Sequence, residues 1–228
     1  MATLDINALS IARPSRLIIH DLTWQLGRGE IGLVTGANGS GKTTLLRCLA
    51  GRVGETAGGF TINGVQGGDN NQRYHIGHRL GLVPALTARA NLQLHASLLG
   101  LAGGQACNTA LASLGMEGFA DWGGDWEVRL LSQGQQKRVA LARLALIMGE
   151  THRLWLLDEA YAGLDAEAAH YLTTLITTYC AEGGTVLIAT HGQLDFPRQQ
   201  IRTLHLSGHL AETRSQTTTA NPRHKRVA

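Results

Sequence analysis

Cysteine is scarce here: Cys48, Cys107 and Cys180 are odd in number, widely spaced and outside any C-x-x-C. That excludes a disulfide framework and a cysteine-built zinc site, and it reads as reduced core thiols in a cytosolic protein. Long hydrophobic runs are lacking too. No stretch approaches the roughly 18 apolar residues of a membrane-spanning helix, and no charged-then-apolar N-terminal signal is present. A membrane role would therefore need a partner. Excess charge is absent from most of the chain. The net charge is +3, but residues 214–228 hold Arg214, Arg223, Lys225 and Arg226 and no acid, so the remainder stands at −1. A near-neutral body argues against nucleic acid, DNA included, as the partner. The basic end, with its Thr, Asn and Pro, reads as a flexible solvated tail.

What the chain has is glycine and order. Its 228 residues suffice for one sizeable core. Residues 16–26 and the apolar run 31–36 read as strands, 42–52 as a helix, and 58–66 as a hairpin with an Asn-Gly turn. From about 84 to 148, Leu and Ala recur at helical spacing, marking a helical subdomain. Then a strand (154–157), a helix (166–180) and a strand (185–190) alternate, and a small hairpin closes the fold at 203–213. Strand–helix alternation implies a parallel sheet with helices on its faces.

"GANGSGKT" lies between the strand at 31–36 and the helix at 42–52, the context in which G-x-x-x-x-G-K-[ST] holds phosphates. Its backbone, through Gly36, Ala37, Asn38, Gly39, Ser40 and Gly41, can curl so that several N–H groups aim at one anion, with Thr44 just inside the helix. Lys42 can reach β- and γ-phosphates, and the Thr43 hydroxyl can ligate Mg²⁺. In "LWLLDE" (154–159), Asp158 is the first polar residue at a strand's C-terminal end, where parallel sheets bind ligands, and is placed to orient Mg²⁺. Glu159, one residue on, can activate a water for attack on the γ-phosphate. The competing reading is two acids that merely meet water at a strand end. "LSQGQQKR" offers Ser132 and Gln135 as a capping box. A plain cap does not need Gly134 in the first turn, which costs about 1 kcal/mol against Ala. A second anion-binding helix end explains that glycine, while Ser132 can serve the cap as well.

With those residues in view, "LSQGQ" resembles the LSGGQ signature of the ABC transporter ATPases, Gln133 replacing the first Gly. The order of motifs matches that family from about Leu4 to Thr213. The resemblance implies an α/β fold. It consists of a P-loop NTPase core with a parallel sheet, an N-terminal antiparallel β subdomain and an inserted helical subdomain, all in a single domain over 1–213. It further implies ATP and Mg²⁺ as ligands and a head-to-tail homodimer in which Ser132, Gly134 and Gln135 bind the ATP of the other subunit. "AGLD" resembles the D-loop and sets Asp165 at the dimer seam, although Asp165 is equally a good helix N-cap. His191 resembles the switch histidine that contacts the γ-phosphate. Three further positions depart from the family. Arg79 stands where a glutamine senses Mg²⁺, Arg13 where an aromatic stacks on adenine, and Ala160 where proline commonly follows the catalytic Glu. An Arg plane can stack on a base as well.

"IGH", "ALTARANL", the signature helix and Trp155 together resemble the haem-exporter ATPases of cytochrome c maturation. That likeness implies a peripheral protein on the cytoplasmic face of the bacterial inner membrane. Its integral-membrane permease partner would be of the cytochrome c maturation B type, with the motion passed on near residues 79–98. Alternatives are the ATPase of another small-substrate exporter, a soluble ABC protein of ribosomes or DNA, and a regulatory module that no longer hydrolyses. A P-loop kinase leaves the signature helix unexplained.

Overall fold

The computed structural model describes residues 2–14, 16–101, 104–116, 126–196, 201–207 and 211–212. The basic tail at 214–228 lies outside them.

β3 (Ile31–Thr35), β7 (Leu154–Asp158) and β8 (Thr185–Ala189) are the apolar runs of the sequence, and they lie together in the order β3-β8-β7, all parallel. Their uniform composition follows from burial on both faces. Trp155, Leu157, Val186 and Ile188 enter one core, while Leu154, Leu156, Leu187 and Ala189 enter the other. β9 (Ile201–Leu206) extends the parallel sheet beside β3, and β6 (Arg73–Ile76) extends it beside β7. β10 (Ala211–Glu212) pairs antiparallel with β9, completing the closing hairpin.

A second, antiparallel sheet runs β2-β1-β4-β5, built from β1 (Ala2–Arg13), β2 (Arg16–Gly27), β4 (Ala57–Ile62) and β5 (Val65–Gln66). β1 is not evident from residue pattern, and its register explains why. Leu4 and Ile6 alternate inward, Ala8 takes φ 49°, and the inward set resumes at Leu9 and Ile11. One bulge shifts the period by a residue and spoils the alternation. The expected Asn-Gly turn does form: Asn63 (φ 50°) and Gly64 (φ 82°) both have positive φ, as a tight hairpin between β4 and β5 requires. α1 (Lys42–Leu49) packs between the two sheets, with Leu45, Leu46 and Leu49 fully buried.

Between 84 and 148 the described residues are mainly helical. They include α2 (Ala88–Leu98), α3 (Gly104–Leu111), a π-helical turn (Ala112–Met116) and α4 (Gln133–Leu146). α5 (Ala166–Ala181) then returns to the parallel sheet. Trp155 is fully buried and stacks on Tyr179 of α5 at 3.8 Å between ring centres, so its place is in the core. None of the described helices is long and apolar enough to cross a membrane.

Candidate nucleotide site

The C-terminal ends of β3, β7 and β8 converge on one edge of the parallel sheet, and the loops leaving them carry most of the sequence candidates. After β3 the chain turns through Gly36 (φ 141°), Gly39 (φ 78°) and Gly41 (φ 107°) into α1. Gly36 is obligatory there on two grounds. Its φ disfavours any side chain, and a Cβ would stand 2.2 Å from the Leu206 carbonyl oxygen. A Cβ on Gly39 would meet nothing, so its glycine serves the backbone turn alone. Lys42 bends back into this loop and donates to the carbonyls of Gly36 (2.8 Å) and Ala37 (3.1 Å). Burial holds its ammonium pKa below the ordinary lysine value, against the raising influence of Glu159 and Asp158. Ser40 Oγ is buried and lacks a hydrogen-bond partner among the described residues. An orphan hydroxyl inside a phosphate-binding loop fits a ligand that supplies the missing partner.

Thr43, on the first turn of α1, donates its hydroxyl to Asp158 Oδ1 at 3.1 Å. The hydroxyl and the buried carboxylate are hard oxygen donors, the set that Mg²⁺ accepts. Thr44 is buried beside them. Glu159 follows Asp158 with φ 54°, a left-handed conformation uncommon for a side-chain-bearing residue, and its N–H still reaches the Ala189 carbonyl at 2.9 Å. β7 thus ends on Asp158, and the turn aims Glu159 away from the sheet. Its Oε1 lies 3.2 Å from Nε2 of His191, just past the end of β8. The contact has ion-pair distance without hydrogen-bond alignment, so Oε1 stays buried and without a hydrogen bond among the described residues. His191 Nδ1 is 3.3 Å from Lys42 Nζ. An ammonium only donates, so Nδ1 accepts and the proton of a neutral ring sits on Nε2, facing Glu159.

Ser132 forms the N-cap of α4, and the capping box is complete: Ser132 Oγ accepts from Gln135 N, and Gln135 Oε1 accepts from Ser132 N at 2.8 Å. Gly134 is different. A Cβ there would find its nearest neighbour at 3.7 Å, so no contact among the described residues demands glycine. Asp165 caps α5 through Ala168 N (3.0 Å) and also pairs with Arg138 of α4. Arg13 is exposed at the end of β1, opposite Arg16. The same hairpin approaches the phosphate loop, where a Cβ on Gly41 would stand 3.1 Å from Ile18. Arg79 is exposed after β6, and behind it buried Arg143 donates to the Leu80 and Gly81 carbonyls.

The structure therefore gathers Lys42, Thr43, Asp158, Glu159 and His191 at one sheet edge through three contacts: Lys42 with His191, Thr43 with Asp158, and His191 with Glu159. Ser132 and Gly134 begin a different helix, and no contact joins them to the phosphate loop within the described residues of the chain. Sequence reasoning missed Lys137, which follows "SQGQQ" directly and reaches the Glu159 turn. It also missed Asn91, buried on α2. The Asn91 amide bonds Val83 N–H and the carbonyls of Val83, Leu86 and Thr87, fixing the chain as it enters the helical region. Asn91 sits in the quoted "ALTARANL", and a lone buried amide there was the available signal.

Comparison with known proteins agrees with this geometry. The ABC transporter family profile matches residues 19–162. The cytochrome c biogenesis ATP-binding export protein CcmA of Pseudomonas putida (strain GB-1) is 37% identical over 211 residues, covering 90% of this chain and 97% of the relative. Its namesake from Alkalilimnicola ehrlichii is 42% identical over 84% of this chain and 81% of its own. That of Escherichia coli O157:H7 is 36% identical over 91% and 98%. Among solved structures, the ATP-binding subunit of an ABC transporter superposes with a TM-score of 0.75 at 23% identity, covering 92% of this chain and 90% of that one, a likeness of fold. The chain belongs to the ABC transporter family, in the group of the cytochrome c biogenesis ATP-binding export proteins.

Proposed function

We propose that this chain hydrolyses ATP as the energising subunit of an exporter that serves haem delivery for c-type cytochromes. The observation that carries the ATPase reading is the cluster of Lys42, Thr43, Asp158, Glu159 and His191 at one sheet edge. The chemistry follows from their types. Loop N–H groups from Gly36 to Thr43 and the Lys42 ammonium hold the phosphates, the ammonium exchanging its two loop carbonyls for phosphate oxygens. Thr43 and Asp158 would hold Mg²⁺, which when bound offsets charge on the β- and γ-phosphates. Glu159 takes a proton from water as the water oxygen attacks the γ-phosphorus and the bond to the β-phosphate oxygen breaks. His191 Nε2–H faces the same space and orders that water against the γ-phosphate. Arg13 stacks on the base.

Gly134 supports a dimer. A glycine that nothing among the described residues requires, on the first turn of a capped helix, fits the close approach of a phosphate held by a second copy. In that head-to-tail homodimer Ser132, Gly134 and Gln135 close over the partner's ATP. The integral-membrane partner is a permease of the cytochrome c maturation B type. It would dock near residues 79–98, where Val83, Leu94 and Leu98 are exposed apolar side chains. The chain would then sit on the cytoplasmic face of the inner membrane. In the presence of that permease, Glu159→Gln is expected to abolish phosphate release and accumulate an ATP-bound dimer. A Glu159→Gln protein that hydrolyses ATP at the parental rate overturns the assignment of the base.

A further inference from the structure

The turn that carries Glu159 has a backbone problem. Glu159 has positive φ, and the next residue is Ala160, with no ring to stiffen the chain. Ala160 is nevertheless buried, and the turn is closed by Ala162 N–H on the Glu159 carbonyl at 3.2 Å. A second donor reaches the same oxygen. Lys137 of α4 places its ammonium 2.6 Å from the Glu159 carbonyl and also bonds the Ala162 carbonyl. The next residue on the helix, Arg138, binds the far end of the same loop through the Asp165 carboxylate and holds the Leu114 carbonyl at 3.0 Å. Gly134, one turn earlier, has Gly163 of this loop as the nearest neighbour of its Cβ position. One face of the signature helix therefore lies along the whole loop from Glu159 to Asp165.

We propose that Lys137 is a positioning residue for Glu159: its ammonium clamps the Glu159 and Ala162 carbonyls and so fixes the direction in which the base points. The clamp supplies from the signature helix the rigidity that Ala160 does not supply from within the turn. Its hydrogen bonds go to main-chain oxygens, which leaves the Glu159 carboxylate for water, although its charge is also felt by the Glu159 and Asp158 carboxylates. Three donor hydrogens on a flexible stem suit two carbonyls three residues apart. Partial burial makes these charge-assisted bonds stronger than exposed ones.

The inference rests on Glu159 being the base, and the experiment separates the two. Lys137→Met keeps the stem and removes the donor, while Lys137→Arg keeps a charged donor. In the assembled ATPase, Lys137→Met is expected to lower kcat by roughly tenfold to a hundredfold, with KM for ATP within about twofold. Lys137→Arg is expected to recover most of kcat. Melting temperatures serve as the fold control. A Lys137→Met enzyme with parental kcat overturns the proposal, as does one whose whole loss lies in KM. Should the methionine variant fail to fold, a Lys137→Arg enzyme with kcat as low as Glu159→Gln overturns it too. If Glu159→Gln itself retains parental turnover, the base assignment fails first. If Glu159→Gln is inactive while Lys137→Met is unaffected, the positioning role alone fails.

Discussion

His191 Nε2 lies 3.2 Å from Glu159 Oε1, while the opposite nitrogen of the ring is 3.3 Å from the Lys42 ammonium. One imidazole thus spans the residue read as the base, just past β7, and the residue read as the phosphate-binding cation, at the start of α1 after β3, two strands that β8 separates in the sheet. Lys42 sets the tautomer, and the tautomer sets what Glu159 faces. His191→Ala is expected to lower ATP turnover by roughly a hundredfold, the usual scale for a group acting beside a general base. Nucleotide affinity should fall much less, because Lys42 and the loop N–H groups remain. Phosphate release and fluorescent-nucleotide binding measured on the same preparation check this. Parental turnover in the alanine variant would remove His191 from the chemistry.

Gly134 allows fold and function to be separated. A Cβ there makes only an ordinary contact, with the Gly163 carbonyl oxygen at 3.7 Å, so the first atom of a side chain meets no clash among the described residues. Gly134→Asp places an acid in the first turn of α4, which favours the helix by about 0.3–1 kcal/mol through the macrodipole. The same carboxylate would repel a phosphate arriving at that helix end. The expected outcome is a melting temperature equal to or above the parent's, together with loss of the ATP-bound dimer in a Glu159→Gln background. Size-exclusion chromatography with ATP reads the dimer. A Gly134→Asp, Glu159→Gln protein that still dimerises would move the partner's phosphate elsewhere.

Much of this was legible in the sequence because the residues concerned are local and obligatory. A strand, a glycine loop and a helix start stand in fixed order at 31–43, and only such an order makes the phosphate cradle. β7 and β8 were legible because burial on both faces leaves their interiors, from Leu154 to Leu157 and from Val186 to Ala189, wholly apolar. β1 was not, since its bulge at Ala8 breaks the alternation on which strand reading depends. The clamp of Lys137 on Glu159 joins residues 22 apart in sequence through main-chain oxygens, which carry no residue-type signal. Ala160 leaves the turn after the base without a proline ring to stiffen it. The structure answers that with two donors on the Glu159 carbonyl, one from Ala162 and one from Lys137.

Acid should weaken the fold through His95. The ring is packed edge-on against Tyr74, whose hydroxyl meets His95 Nε2. Burial pulls the His95 pKa down to about 4 from an ordinary 6.5, and the nearby Arg143 and Arg153 add to the effect. Burial also pushes the Tyr74 hydroxyl up to about 12, so it remains a donor and Nε2 the acceptor. The folded chain therefore holds His95 neutral, while the unfolded chain protonates it near 6.5. Below that pH the unfolded state binds more protons, so stability is lost as pH falls from about 6.5 to about 4. His75, held down to about 4 by burial and by Arg52 and Arg47, contributes in the same direction. His95→Gln keeps an acceptor for Tyr74 but cannot gain a proton. Urea midpoints at about pH 7 and about pH 4.5 should fall less in His95→Gln than in the parent. Equal falls would mean that His95 binds its proton equally in the folded and unfolded chain.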